Sequence, residues 1–178
     1  MDPLIKQAIG LMRWHQIRIR EGNVKLADDL RPEYLNHAEK TLEGFRNTSG
    51  VAMSEANSEN DDKIYIYTFK YDVGNRLVED TEQPSDEDLF VLLEIRASFD
   101  VEYVAKEEVP KEAIDKFSQF NVGYHVWPYW REFVSSNLSR MEIDTDLVRI
   151  PIYQHLPVDG KVVLAEPVGD VALHQTSK

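Results

Sequence analysis

The chain has 178 residues, 42% of them hydrophobic and 29% charged, which suffices for the core of one ordinary domain and excludes a disordered tail. Its 20 Lys and Arg face 32 Asp and Glu, a formal net charge of -12, and no basic run exists beyond the spaced Arg13, Arg18 and Arg20. Nucleic acid is therefore not an expected partner, whereas a cation-rich one is. The absence of Cys excludes disulfides, thiolate zinc sites and cysteine nucleophiles, and permits a reducing compartment.

The first 13 residues carry an apolar stretch broken by Lys6, Gln7 and Gly10, with no small-residue cleavage pattern after it, so no signal peptide is read there. No run approaches the ~18 apolar residues of a membrane-spanning helix, and a cytoplasmic location without direct membrane insertion is expected. Within residues 3–12, apolar side chains at 4, 5, 8, 9, 11 and 12, with Pro3 near the start, predict a short amphipathic helix. From Trp14 the pattern alternates, with Ile17 and Ile19 between Gln16, Arg18 and Arg20, which predicts a strand that bulges or turns at Glu21-Gly22-Asn23 before Val24-Lys25-Leu26. Residues 28–43 have no clear period, and Arg31-Pro32 argues for an extended or turning start.

Residues 57–62 read as a loop. The following residues 63–71 are dense in β-branched and aromatic side chains and predict a strand buried on both faces at its beginning. Residues 79–88 hold six carboxylates and Pro84 and predict a solvated connection. The clearest element spans residues 89–103, where every odd position is apolar and the even positions from Glu94 onward are polar or charged. At ~3.3 Å per residue such a strand is ~50 Å long, with one face covered by protein and the other meeting water or a partner.

Pro110 and Glu112 open a helix with Ala113, Ile114 and Phe117 on one side, ending before Asn121-Val122-Gly123. Residues 124–127 read as irregular. Pro128 then opens a second helix with Trp130, Phe133, Val134, Leu138 and Met141 in one apolar stripe. Residues 147–153 form an extended run, Val158-Asp159-Gly160-Lys161 reads as a hairpin turn, and the rest is a tail. Strands in runs followed by helices, rather than alternating with them, predict an α+β fold with an antiparallel sheet.

Chemistry is sparse. The five histidines, His15, His37, His125, His155 and His174, show no i, i+4 metal spacing, and no metal site is expected. Ser135, Ser136 and Ser139 lie outside any nucleophile elbow, and no phosphate-cradling glycine motif occurs. No cofactor and no enzymatic activity are expected. The aromatic residues Phe117, Phe120, Tyr124, Trp127, Tyr129 and Trp130 form either core or the wall of an apolar groove.

At residues 126–140, Val-Trp-Pro-Tyr-Trp-Arg-Glu-Phe-Val-Ser-Ser-Asn-Leu-Ser-Arg, the chain resembles the SecB family of protein-export chaperones. That family carries Pro-Tyr-x-Arg-Glu followed by a Ser-rich helix ending in Ser-Arg, and Pro128, Tyr129, Arg131, Glu132, Ser136, Ser139 and Arg140 match in register. Residues 89–105 look like the family's third strand, and residues 109–126 like its first helix turn and crossover segment. The resemblance implies a four-stranded antiparallel sheet with helices packed on one side, to which the N-terminal helix is an addition. It implies a homotetramer, a dimer of dimers, joined through Tyr129, Trp130, Phe133, Val134 and Leu138. The implied activity is ATP-independent holding of unfolded preproteins for Sec-dependent export, with clients in a groove at Phe120, Val122, Tyr124, Val126 and Trp127. Leu92 and Glu94 match the face that meets the SecA motor, whereas Asn23 and Ala27 stand where the family has acids. The family's long C-terminal helix has no counterpart in residues 154–178, which contain Pro157, Gly160, Pro167 and Gly169. A specialised chaperone for one client, such as the antitoxin of a toxin–antitoxin system, and a non-chaperone adaptor on the same fold are the alternatives. The expected organisation is a helical arm at 1–13, a SecB-like domain at 14–153 and a C-terminal hairpin or tail at 154–178.

Overall fold

The computed structural model describes residues 2–58, 60–80, 90–153 and 173–175. Helix α1 (Pro3–Leu11) starts where the Asp2 carboxylate accepts from the Leu4 N–H at 2.9 Å and Pro3 has no N–H to orphan. It passes directly into strand β1 (Met12–Leu26), which runs through Glu21-Gly22-Asn23 without the expected turn. β1 is an edge strand whose residues 18–23 are all exposed, so Gly22 leaves no packing position empty.

After a 3₁₀ turn at Pro32–Asn36 come β2 (Lys40–Asn57), β3 (Lys63–Glu79) and β4 (Val91–Ala105). The four long strands form an antiparallel sheet in the order β1-β4-β3-β2, and a short β5 (Leu173–Gln175) adds parallel to β2 at Leu42, Glu43 and Gly44. The predicted alternation in β4 is observed: every odd residue from Leu93 to Ala105 is buried. β3 is eight residues longer than expected. Its start is not buried on both faces, because Ile64 and Ile66 are only half-covered while Tyr67, Phe69 and Tyr71 point inward. Of the acidic connection predicted at 79–88, Glu79 instead ends β3, residues 81–88 lie outside the described residues, and so does the turn at 158–161.

Helix α2 (Lys111–Phe120) follows Pro110, as predicted, with Ala113 and Phe117 buried. Helix α3 (Val122–Arg140) begins six residues before Pro128 and contains it, so residues 124–127 are helical rather than irregular. A proline there cannot donate to the carbonyl of Tyr124, which loses its usual helical partner. Beyond α3 the extended run predicted at 147–153 is replaced at its start by a 3₁₀ turn, Thr145–Val148, which the Asp144 carboxylate caps by accepting from the Asp146 N–H at 2.9 Å.

The chain divides into two compact units, and each of the four long strands contributes to both. The first unit comprises Met1–Glu21, Arg46–Asp72 and Ser98–Pro128. Its core holds Phe69, Tyr103 and Phe117 in edge-to-face contact, with centroid separations of 5.5 Å for Phe69–Tyr103 and 4.9 Å for Tyr103–Phe117. The buried Tyr67 hydroxyl accepts from the Val109 N–H at 2.8 Å, which satisfies the backbone just ahead of α2. α1 packs on α2.

The second unit comprises Gly22–Phe45, Val73–Ala97 and Tyr129–Lys178. Leu35, Leu42, Leu77, Leu93, Ile95, Trp130 and Leu138 form its core. α3 ends in a left-handed cap: Glu142 has φ 58°, its N–H donates to Ser139 at 3.3 Å, and the Ile143 N–H donates to Leu138 at 3.0 Å. Ile143 and Leu138, the two apolar residues that such a cap brings together, are both buried. On β3, Gly74 gives room to the ring of Phe45: a Cβ there would lie 2.9 Å from Phe45 Cζ and 3.2 Å from Arg96 Cβ.

Candidate peptide-binding surface

One residue, Asn121, separates α2 from α3, and its N–H donates back to Phe117 at 2.8 Å. This junction places the predicted groove residues on a helical period. Val122 and Val126, four residues apart, are fully buried in the first unit, and Trp127 is nearly so, with the Arg46 guanidinium 5.1 Å above its ring. Tyr124, on the opposite face, is 56% exposed, and Phe120 is half-buried. Of the five residues, Tyr124 and part of Phe120 therefore present side chain at the surface, and Val122 and Val126 carry the core beneath them.

His125 links that surface to the core. Its Nδ1 lies 2.6 Å from the Tyr103 hydroxyl. Burial pushes the Tyr103 pKa far up and the His125 pKa down, so a neutral phenol and a neutral imidazole share this hydrogen bond. The ring of Tyr124 leans on His125 at 5.5 Å, edge to face.

The predicted assembly stripe divides in two. Trp130, Val134 and Leu138 are buried within the second unit and serve its core, whereas Tyr129 is exposed and Phe133 half-buried, stacked on Trp130 at 6.0 Å. Leu92 is fully buried, its carbonyl accepting from the Ala27 N–H at 2.9 Å, and Glu94 is half-buried. Leu92 therefore offers no side-chain surface in the single chain.

Exposed apolar surface also lies on the two edges of the first unit, at Trp14 (50% exposed) and Ile19 on β1, and at Val51 (47%) and Met53 (48%) on β2. Trp14 and Ile19 belong to an alternating segment legible in the sequence. Val51 and Met53 were hidden, because Gly44 to Ser54 is rich in small and polar residues of low strand propensity, and only the spacing Val-x-Met hinted at a strand. The solvent-side face between these edges is polar: Gln16 donates to Glu102 at 2.5 Å, Arg18 pairs with Glu102, and Arg20 reaches Asp100 at 3.3 Å.

Among the described residues no group of three or more His, Cys, Asp or Glu side chains could hold a metal ion, and no helix is long and apolar enough to cross a membrane. The arrangement offers exposed apolar side chains, open sheet edges and an acidic balance.

These features define a SecB-like fold. The chain superposes on the Mycobacterium tuberculosis Rv1957 SecB-like chaperone, solved in complex with a ChAD peptide from the Rv1956 HigA1 antitoxin, over 94% of this chain and 100% of that one, with a TM-score of 0.56 and 11% sequence identity. A protein of unknown function from Streptococcus agalactiae covers 82% of this chain at 13% identity, with a TM-score of 0.31. No protein-family model matches the chain, and no curated protein does.

Proposed function

We propose that this protein is a holdase that binds unfolded or extended polypeptide without nucleotide. The observation that carries this reading is the SecB-like fold itself, shared with a chaperone solved in complex with a peptide. The net charge of -12 supports it, because it attracts Lys- and Arg-rich unfolded segments whose apolar residues then bury against exposed side chains. Phe120 and Tyr124 are the surface members of the client site, and Val122, Val126 and Trp127 set their position from below. Assembly is as a cytoplasmic homotetramer, a dimer of dimers, in which Tyr129 and Phe133 contribute the surface that α3 leaves outside its own core.

Preproteins bound for Sec-dependent export are the client class this fold suggests first. A dedicated client, such as an antitoxin, is the second reading. It is favoured by the antitoxin peptide on the solved neighbour and by the motor-facing positions, where Leu92 is buried and Asn23 and Ala27 replace acids. The test is light scattering from a reduced, aggregating export precursor with the protein added at equimolar tetramer and no nucleotide. Suppressed scattering, together with binding of a SecA-type motor, supports export. Suppression without motor binding supports a dedicated client, and unchanged scattering from the folded protein refutes the holdase reading.

A further inference from the structure

The acidic balance of the chain is unevenly spread. Residues 1–20 hold Lys6, Arg13, Arg18 and Arg20 against Asp2 alone, a charge of +3, while the rest of the chain has 16 Lys and Arg against 31 Asp and Glu, a charge of -15. Within the cationic stretch α1 is mainly apolar, with Leu4, Ile5, Ala8, Ile9 and Leu11 around a single charge, Lys6. Apolar residues interrupted by Lys and Arg are the chemistry that an acidic holdase draws in. The protein thus carries in its own fold a segment with the character of its clients.

That segment sits on α2, the helix whose last residue is Phe120. Each of the two helices encloses an alanine completely, Ala8 in α1 and Ala113 in α2, and both lie in the first unit. The hold on α1 is nevertheless slight. Leu4, Ile5 and Leu11 are only half-covered and Ile9 is 38% exposed, so most of its apolar side chains keep part of their surface in water. Nine residues are too few to stay helical in isolation, the last turn has no basic residue to answer the helix dipole, and Gly10 in that turn lowers helix propensity. A Cβ at Gly10 would meet nothing within 4 Å, so packing does not require a glycine there. Undocking and loss of helix are therefore one step for α1, hinged at Met12 where β1 begins without a linker.

We infer that α1 is a built-in occupant of α2, a client-like cover that an apolar, cationic segment of an unfolded chain displaces by taking the same seat as a short amphipathic helix. This rests on the holdase reading above and states how binding is regulated. α1 competes with the client, so the seat on α2 opens only to a segment that outbinds it, and apparent affinity is the intrinsic affinity reduced by the fraction of molecules with α1 released.

The test uses the full chain and a fluorescein-labelled peptide of about a dozen residues, with leucine and lysine at helical spacing, followed by fluorescence anisotropy and amide hydrogen exchange. Peptide addition is expected to speed exchange in residues 6–11 while α2 stays protected. Two variants move the balance in opposite directions. Gly10→Ala favours the helical, docked form and is expected to weaken peptide binding about fivefold. Ala8→Asp puts a carboxylate at the enclosed position, releases α1 and is expected to tighten binding about tenfold. Because the chain has no Cys, a nitroxide on Gly10→Cys labels α1 alone, and its spectrum is expected to sharpen as peptide is added. Peptide binding with exchange in residues 6–11 unchanged or slowed, or equal affinity in Gly10→Ala and the parent, overturns displacement and leaves the holdase reading standing. So does suppression of aggregation by a protein that does not bind the peptide. No peptide binding together with no suppression of aggregation removes both.

Discussion

Trp130 is the largest side chain fully enclosed in the second unit, and among the described residues its indole Nε1–H has no acceptor. Two substitutions separate what its volume contributes from what its polarity costs. Trp130→Ala removes the whole ring system and leaves a cavity, at a cost of ~3–5 kcal/mol. Trp130→Phe removes ~3 ring atoms, which at ~0.8 kcal/mol per methylene equivalent is a loss of ~2 kcal/mol. It also removes the buried donor, whose unmet desolvation costs ~1–3 kcal/mol. The two terms offset, so Trp130→Phe is expected to lie within ~1 kcal/mol of the parent while Trp130→Ala falls far below it. Urea unfolding followed by far-ultraviolet circular dichroism, repeated at several protein concentrations to separate folding from assembly, measures both. If Trp130→Phe is as damaging as Trp130→Ala, the indole N–H is satisfied and the reasoning fails.

Two further predictions concern a backbone cap and a titration. Glu142 occupies the left-handed position of the α3 cap, which charges a side-chain-bearing residue ~1 kcal/mol. Glu142→Gly is therefore expected to add ~0.5–1 kcal/mol and raise the thermal midpoint by ~1–4 °C, and an unchanged or lower midpoint refutes the strain. Burial holds the folded-state pKa of His125 below its ordinary 6.5, so the unfolded chain takes up that proton first. Its contribution is complete above pH 6.5 and is lost as pH falls through 6.5 toward the lower folded value. The urea midpoint should drop between about pH 7.5 and about pH 5.5, and His125→Gln should remove that part of the slope; equal slopes in the two proteins would show that other groups account for it.

Sequence reading succeeded where one period ran uninterrupted. β4 was legible because its alternation runs unbroken from Leu93 to Tyr103, and α2 because a proline, an acid and an apolar stripe agree on its start and its buried side. β2 was not legible, since a strand that is exposed along residues 49–55 needs no hydrophobic pattern and shows none. Pro128 misled in the other direction: proline at a helix start is the common case, but α3 carries it mid-helix, so four residues that seemed irregular are helical. The candidate site shows what a resemblance transfers and what it does not. It named five residues for one groove, yet Val122 and Val126 lie one helical turn apart on the inward face while Tyr124 lies on the outward one. That division follows from α3 beginning at Val122, which the sequence reading did not anticipate.

The distribution of the three tryptophans has an optical consequence. Trp14 stands half in water on β1, Trp127 lies under a guanidinium at the end of the first unit, and Trp130, three residues on, is sealed inside the second. The molecule thus carries three built-in fluorophores in three surroundings, two of them in the first unit and one in the second. Variants that each retain one of them would report, by emission colour and quenching alone and without any attached dye, which unit loosens first and whether an arriving chain touches the β1 edge.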